Sequence, residues 1–263
     1  MLTETAADTA SDLLWATWQS GGRIDALPRA LRPASRAEGY AIQARLEGRS
    51  ATPLFGWKIA ATSPAGQAHI GVDGPLAGRI LADMVVADGS ALTVAGNAMR
   101  VAEPEFVFRV GRDLTPRIDR YTEAEVMGAV AGLHLGIEVP DSRFADFADV
   151  GAPALIADDA CGHRFALGPE APPLWRELDL ASHRVHCAVA PRYEREGTGS
   201  NVLGDPRRAL TWLVNELARH DIILRAGQYV TTGTCTVPLT IEAGDNVTAN
   251  FGALGRMSLS FTE

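Results

Sequence analysis

From residue 85 onward the chain reads as a succession of short strands, and that pattern limits the fold more than any other feature. Apolar and polar residues alternate between turns at Asp88-Gly89, Gly96-Asn97, Ala226-Gly227 and Ala243-Gly244-Asp245. Helical periodicity interrupts this at residues 122–132 and 206–220. The first of these opens with the capping box Thr122-Glu123-Ala124-Glu125, and Tyr121 against Val126 supplies a hydrophobic staple. Strands and helices are segregated, not alternating as βαβα, so an α+β class with a mixed or largely antiparallel sheet is expected. A doubly wound nucleotide-binding fold is disfavoured. The segment 197–202 lacks the third glycine of a dinucleotide loop, Val202 standing there, and Ser200 lies between Gly199 and Asn201, so it is no nucleophile elbow.

The N-terminal part is helical in character. Leu13, Leu14, Trp18 and Trp15 form an apolar stripe before the Gly21-Gly22 break, and a second helix is expected over 35–47 with Ala37, Tyr40, Ala41, Ala44 and Leu46 inward. Residues 51–60 read as turn plus strand, Ser63-Pro64 as the start of a short helix to 69, and 71–78 as a loop. After the capped helix, which should stop near Gly132, a strand over 133–139 is closed by Pro140. A helical N-terminal region, 1–50, followed by one strand-rich domain, 51–263, is the organisation expected.

Composition narrows the function classes. The 263 residues are 46% hydrophobic and carry a net charge of −8, which argues against a nucleic-acid partner, since that needs a basic footprint. No window approaches the ~18 uninterrupted apolar residues of a membrane span. Residues 1–11 carry Glu4 and Asp8 in place of a basic cluster and apolar stretch, so no secretory signal and a cytoplasmic location are expected. Cys161, Cys187 and Cys235 are odd in number and far apart, which favours reduced thiols over disulfides or a zinc site.

The chemistry-bearing stretch is 101–110. Strand alternation puts Glu103 and Glu105 on one face and Phe106, Phe108 and Val110 on the other, and Pro104 between them points to a sheet edge or a mouth. In 133–139 the same alternation leaves Glu138 on a face with Gly136 and His134. Three carboxylates with no soft ligand suit Mg²⁺ or Mn²⁺, but the pattern alone favours a solvated acidic strand face, because exposed E-x-E pairs are common. Lys58, after Trp57 in an apolar, glycine-rich strand, is either a desolvated proton carrier or a strand-end lysine reaching for water, and sequence alone favours the second. His134 is expected to pack, not to ligate. Asp141, Arg143, Asp146 and Asp149 read as a polar loop.

Read in order, residues 56–63, 71–75, 81–84, Glu103-Pro104-Glu105, Gly136-Ile137-Glu138, Asp141-Ser142-Arg143, Ala157-Asp158, 197–204 and Thr231-Thr232-Gly233-Thr234 resemble the 2-oxopent-4-enoate hydratase group. That group includes 4-oxalocrotonate decarboxylases and belongs to the fumarylacetoacetate hydrolase superfamily. The resemblance implies a mixed α+β roll of the superfamily's C-terminal-domain type, usually homo-oligomeric, alone or together with a paralogous decarboxylase or hydratase. It implies Mg²⁺ or Mn²⁺ on Glu103, Glu105 and Glu138, the active-site lysine at Lys58, and a 2-oxo acid held at Gly233 and Thr234. Two positions depart from the hydratases: Leu76 stands where their loop carries an aspartate, and Cys161 replaces a serine. Both line the substrate in the implied site. Features of the hydrolase branch, including its His-Glu pair on an N-terminal lid, are not evident. The implied reaction is addition of water to a 2-hydroxy-2,4-dienoate, giving a 4-hydroxy-2-oxo acid. The alternatives are decarboxylation of a 2-oxo-3-enedioate, C–C hydrolysis of an acylpyruvate, and a non-enzymatic 2-oxo-acid binder or structural partner of an active paralogue.

Overall fold

Two curled sheets share one apolar core in the computed structural model, which describes residues 2–263. The elements run α1 (Glu4–Ser20), α2 (Arg36–Gln43), β1 (Gly56–Ala60), α3 (Pro64–His69), β2 (Leu76–Ile80), β3 (Val85–Ala87), β4 (Ala91–Thr93) and β5 (Val101–Val110). There follow α4 (Glu123–Met127), β6 (Val130–Val139), α5 (Ala152–Ala157), β7 (Arg164–Glu170), β8 (Arg184–Ala190), β9 (Tyr193–Thr198) and α6 (Pro206–Arg219). The chain ends with β10 (Tyr229–Thr234), β11 (Leu239–Thr240), β12 (Asn246–Asn250) and β13 (Arg256–Thr262). The larger sheet has the order β2-β1-β10-β5-β6-β7-β3, with β11 also on β5, and the smaller one β4-β13-β12-β8-β9. Parallel and antiparallel pairs occur in both, so the fold is mixed, with strands dominating after residue 85 as expected. Among the described residues, no helix is long and apolar enough to cross a membrane.

Alternation explains the layering. Phe106, Phe108, Leu133, Leu135 and Ile137, on one face of β5 and β6, join the buried Val185, Cys187, Val189, Val247, Ala249, Leu259 and Phe261 of the smaller sheet in one core. Phe106 meets Phe251 edge-on at 5.2 Å. The opposite face of β5 and β6 is left for the carboxylates.

Several expected boundaries move. The capping box forms at Thr122, but α4 ends at Met127 and β6 begins at Val130, because the long β5–β6 ladder recruits residues before 133. The expected 71–78 loop ends early: Leu76, Ala77 and Gly78 pair with Ala60, Ile59 and Lys58 of β1. In α2, Ala37 is exposed and the buried positions are Gly39, Tyr40, Ile42 and Gln43, since that side packs on α5. The polar-loop reading of 141–149 fails for its first half. Asp141 and Arg143 are buried, Asp141 paired with Arg23 and Arg143 with Asp158. Pro104 lies on an internal strand, not an edge. Its carbonyl accepts from Cys235 N at 2.9 Å, so its N side faces the gap between β10, which pairs with β5 as far as Glu105, and β11, which begins at Ala102. No ladder partner waits there for the missing N–H.

Gly39 gives a direct test of this packing. A Cβ there would lie 2.5 Å from Pro153 O and 3.0 Å from Ile156 Cβ. Gly→Ala in a helix ordinarily gains up to about 1 kcal/mol from propensity, but overpacking against a fixed backbone costs about 1–3 kcal/mol. The clash should win. Gly39→Ala is expected to lower the unfolding midpoint in denaturant, and a raised midpoint would mean that α2 and α5 stand further apart.

Candidate active site

The β5–β6 register places Glu103 directly opposite Glu138, and Glu105 opposite Gly136. Opposed like charges destabilise a sheet unless something compensates them. One carboxylate oxygen from each of Glu103, Glu105 and Glu138 falls within 4.8 Å of the others. Glu105 and Glu138 are buried and Glu103 is partly exposed. Lys58 reaches the cluster from β1: its Nζ lies 3.0 Å from Glu138 Oε1, although β10 and β5 separate the two strands in the sheet. The sheet is therefore curled, with these side chains on its inner side.

Two buried oxygens of the cluster, Glu105 Oε1 and Glu138 Oε2, have no hydrogen-bond partner among the described residues. Their sister atoms are held: Glu105 Oε2 accepts from the Thr231 hydroxyl and from Gly233 N at 2.6 Å. An unpaired buried carboxylate oxygen is costly, and native proteins seldom leave one without water, proton or ion. The orphaned oxygens, the oxygen-only donor set and the mutual spacing fit a hard divalent ion.

Burial and Glu138 raise Glu103 to about 7, against an ordinary 4.5. Glu105 is pushed well above the carboxylate range by burial and by both neighbouring glutamates. Burial also raises Glu138, with Lys58 opposing. For Lys58, burial works against the charge, but Glu138, Glu103 and Glu105 outweigh it, and the ammonium stays protonated. The strand-end reading of Lys58 is overturned: the residue is 3% exposed. It is also the only lysine in the chain, the remaining cationic side chains being arginine. That compositional signal marks the position without any structure.

Other candidates fall around this cluster. Gly233 sits in a break of the β10–β5 register between Thr231 and Thr234, at φ 108, with a Cβ position 2.2 Å from Thr62 Oγ1. Only glycine lets its N–H turn to Glu105 there. The Thr234 hydroxyl donates to Thr236 O at 3.1 Å, within its own turn. Cys161 is buried, and burial with nearby Asp158 raises its thiol to about 12, so it is neutral. Leu76, wholly buried, stands opposite Ala60 on the face of β2 that carries Gly78, the partner of Lys58. His134 packs as expected, 3.3 Å from Gly168 O and edge-on to Tyr229. Two further groups complete the site: Thr231, whose hydroxyl donates to Glu105, and the Ala160 carbonyl, which accepts from Lys58 Nζ at 2.8 Å. Thr231 is legible in retrospect, being two residues before Gly233 on a strand. A backbone carbonyl gives no sequence signal.

No family profile model matches the sequence. The fold is close to that of a solved 4-oxalocrotonate decarboxylase from Pseudomonas putida, complexed with magnesium and adipate, with a TM-score of 0.89 over 99% of both chains at 24% identity. The fold is shared more loosely with a 5-carboxymethyl-2-hydroxymuconate delta-isomerase from Mycobacterium smegmatis, with a TM-score of 0.56 over 80% of both chains at 17% identity. In sequence, the chain is 33% identical to a 2-keto-4-pentenoate hydratase of Burkholderia vietnamiensis over 249 residues, 93% of this chain and 94% of the relative. It is 30% identical to a 4-oxalocrotonate decarboxylase of a Pseudomonas species over 232 residues, 88% and 87% of the two chains. The chain belongs to the family of 2-keto-4-pentenoate hydratases and 4-oxalocrotonate decarboxylases.

The charge cluster has a consequence for stability. Glu103 has a folded pKa above its ordinary value, so the folded state holds its proton more tightly than the unfolded chain, and ionisation opposes folding. In chelator, stability is expected to fall as pH rises from about 4.5 through about 7. Glu103→Gln should flatten that slope and melt above wild type at pH 8. Thermal unfolding across pH measures this, and a wild type that gains stability over the interval would contradict it.

Proposed function

We propose that the chain is a metal-dependent hydratase that adds water to a 2-hydroxy-2,4-dienoate, or its 2-oxo-enoate tautomer, to give a 4-hydroxy-2-oxo acid. The observation that carries this is the buried three-carboxylate cluster with two unpartnered oxygens and one lysine against it. Its relatives' names supply the reaction class. Glu103, Glu105 and Glu138 would hold Mg²⁺ or Mn²⁺, which supplies a Lewis acid for the negative charge that a 2-oxo acid develops when it exchanges protons. Lys58 carries the mobile proton on Nζ, in contact with Glu138 Oε1 and the Ala160 carbonyl. Gly233 and Thr234, on the register break beside Glu105, orient the substrate carboxylate and 2-oxygen. Leu76 and Cys161 present an apolar side and a neutral thiol, and so keep bulk water from the conjugated tail. The same reading takes residues 51–263 as a catalytic roll of the superfamily's C-terminal-domain type, residues 1–50 as a helical appendage, and the enzyme as a cytoplasmic homo-oligomer.

Leu76 favours one second reading. A buried apolar residue cannot take a proton from attacking water, whereas decarboxylation of a 2-oxo-3-enedioate needs none. Offering both substrate classes with Mn²⁺ separates the two. Loss of dienol absorbance without CO₂ release is expected, and CO₂ release from the enedioate alone would establish the decarboxylase.

Lys58→Ala is expected to reduce turnover roughly 100- to 10,000-fold while Mn²⁺ binding, followed by electron paramagnetic resonance, stays near wild type. Turnover within a few-fold of wild type would reduce Lys58 to a packing residue.

A further inference from the structure

The Lys58 side chain lies in a bed that has no slack. Gly78, its partner across the β1–β2 ladder, has a Cβ position 2.8 Å from Lys58 Cδ and 2.9 Å from Lys58 Cγ, so the lysine stem crosses the space a side chain would fill. The same Cβ position lies 2.5 Å from the carbonyl oxygen of Asp159. The stem is therefore confined between β2 and the turn Asp159-Ala160-Cys161, and the Ala160 carbonyl accepts from Nζ at its end.

That turn is unusual. Its three residues have φ of 57°, 49° and 62°, and none is glycine. Consecutive left-handed residues with side chains persist only where the surroundings over-determine them. What fixes the turn to β2 is the Asp159 side chain: Oδ1 accepts from Arg79 N at 2.6 Å, one residue along from Gly78. Asp159 is 1% exposed, and its Oδ2 has no hydrogen-bond partner among the described residues.

We infer that Asp159 is the positioning residue for Lys58, tying the left-handed turn to β2 so that the Ala160 carbonyl holds the ammonium at Glu138. The inference rests on the role proposed for Lys58. Asp159 acts as a hydrogen-bond acceptor for a backbone N–H, so its amide analogue suffices. Its loss releases the turn and lets the lysine swing from Glu138, while the three glutamates stay in place.

Lys58 being the only lysine, selective lysine ¹³C labelling of the full chain with saturating Mg²⁺ gives one side-chain signal that reports its position alone. Asp159→Asn should keep the wild-type shift and turnover. Asp159→Ala should shift or broaden the signal and lower kcat roughly 100-fold, the cost of misplacing a reacting group by about an ångström, with KM changed little. In a Lys58→Ala background, Asp159→Ala should cost nothing further. If Asp159→Ala does not fold, Asp159→Gly carries the same expectations, since glycine accepts the positive φ while removing the acceptor. An unmoved lysine signal, an Asn variant as damaged as the Ala variant, or a loss that adds fully to Lys58→Ala overturns the inference. Wild-type turnover in Lys58→Ala alone would instead sink the role of Lys58 and leave the geometric claim to the labelled signal.

Discussion

Three carboxylates converge on the inner side of a curled sheet, and a single ammonium answers them. With all four groups ionised the cluster keeps two uncompensated negative charges, in a setting where Glu105 and Glu138 are buried. Much of the surrounding architecture follows from managing that charge. A buried ion pair between Lys58 and Glu138 offsets part of it, and the Thr231 hydroxyl and the Gly233 N–H offset part of the rest at Glu105. Hydrogen bonds to neutral groups cannot replace a countercharge, because burial penalises the ionised form by more than they return. A doubly charged hard cation is the partner whose charge matches the remainder.

The fold supplies this arrangement through register. Because β5 and β6 pair with Glu103 opposite Glu138, the site depends on one ladder remaining in step, and a slip of one residue would turn the glutamates into the apolar core. The core prevents the slip by burying Phe106, Phe108, Leu135 and Ile137 on the opposite face. Across the other edge of β5, pairing with β10 breaks between Thr231 and Thr234, and just past the last pair, Thr234 with Glu105, Pro104 faces the gap between β10 and β11. The break that turns the Gly233 N–H to Glu105 thus lies beside the proline that needs no partner. Strand pairing and site chemistry are set by the same few residues.

How much of this the sequence discloses depends on the kind of interaction. Alternation along 101–110 and 133–139 was enough to put the three glutamates on their face, since a strand has a period of two and both stretches are unambiguous strands. It cannot tell a buried cluster from a solvated one, which is decided by the curl of the sheet and by Lys58 arriving at Glu138 from β1, with β10 and β5 in between. The polar appearance of Asp141 and Arg143 misled for the same reason. Their partners, Arg23 and Asp158, are distant or out of register in the sequence, so burial of the pairs was invisible. Leu76 read as loop because the preceding Gly71–Pro75 stretch is turn-like, and only pairing with β1 shows where the strand begins. The Asp159-Ala160-Cys161 turn leaves no trace at all, as none of its residues favours left-handed backbone strongly.

The account stands on an ion between the two strands. Anomalous diffraction from crystals grown with Mn²⁺ tests this most directly, because the signal locates the metal without assuming its ligands. One peak per chain, with carboxylate oxygens of Glu103, Glu105 and Glu138 at roughly 2.0–2.2 Å, is the expected result. A peak elsewhere, or an empty site in which Glu105 Oε1 and Glu138 Oε2 are satisfied by water or a shared proton, would contradict it.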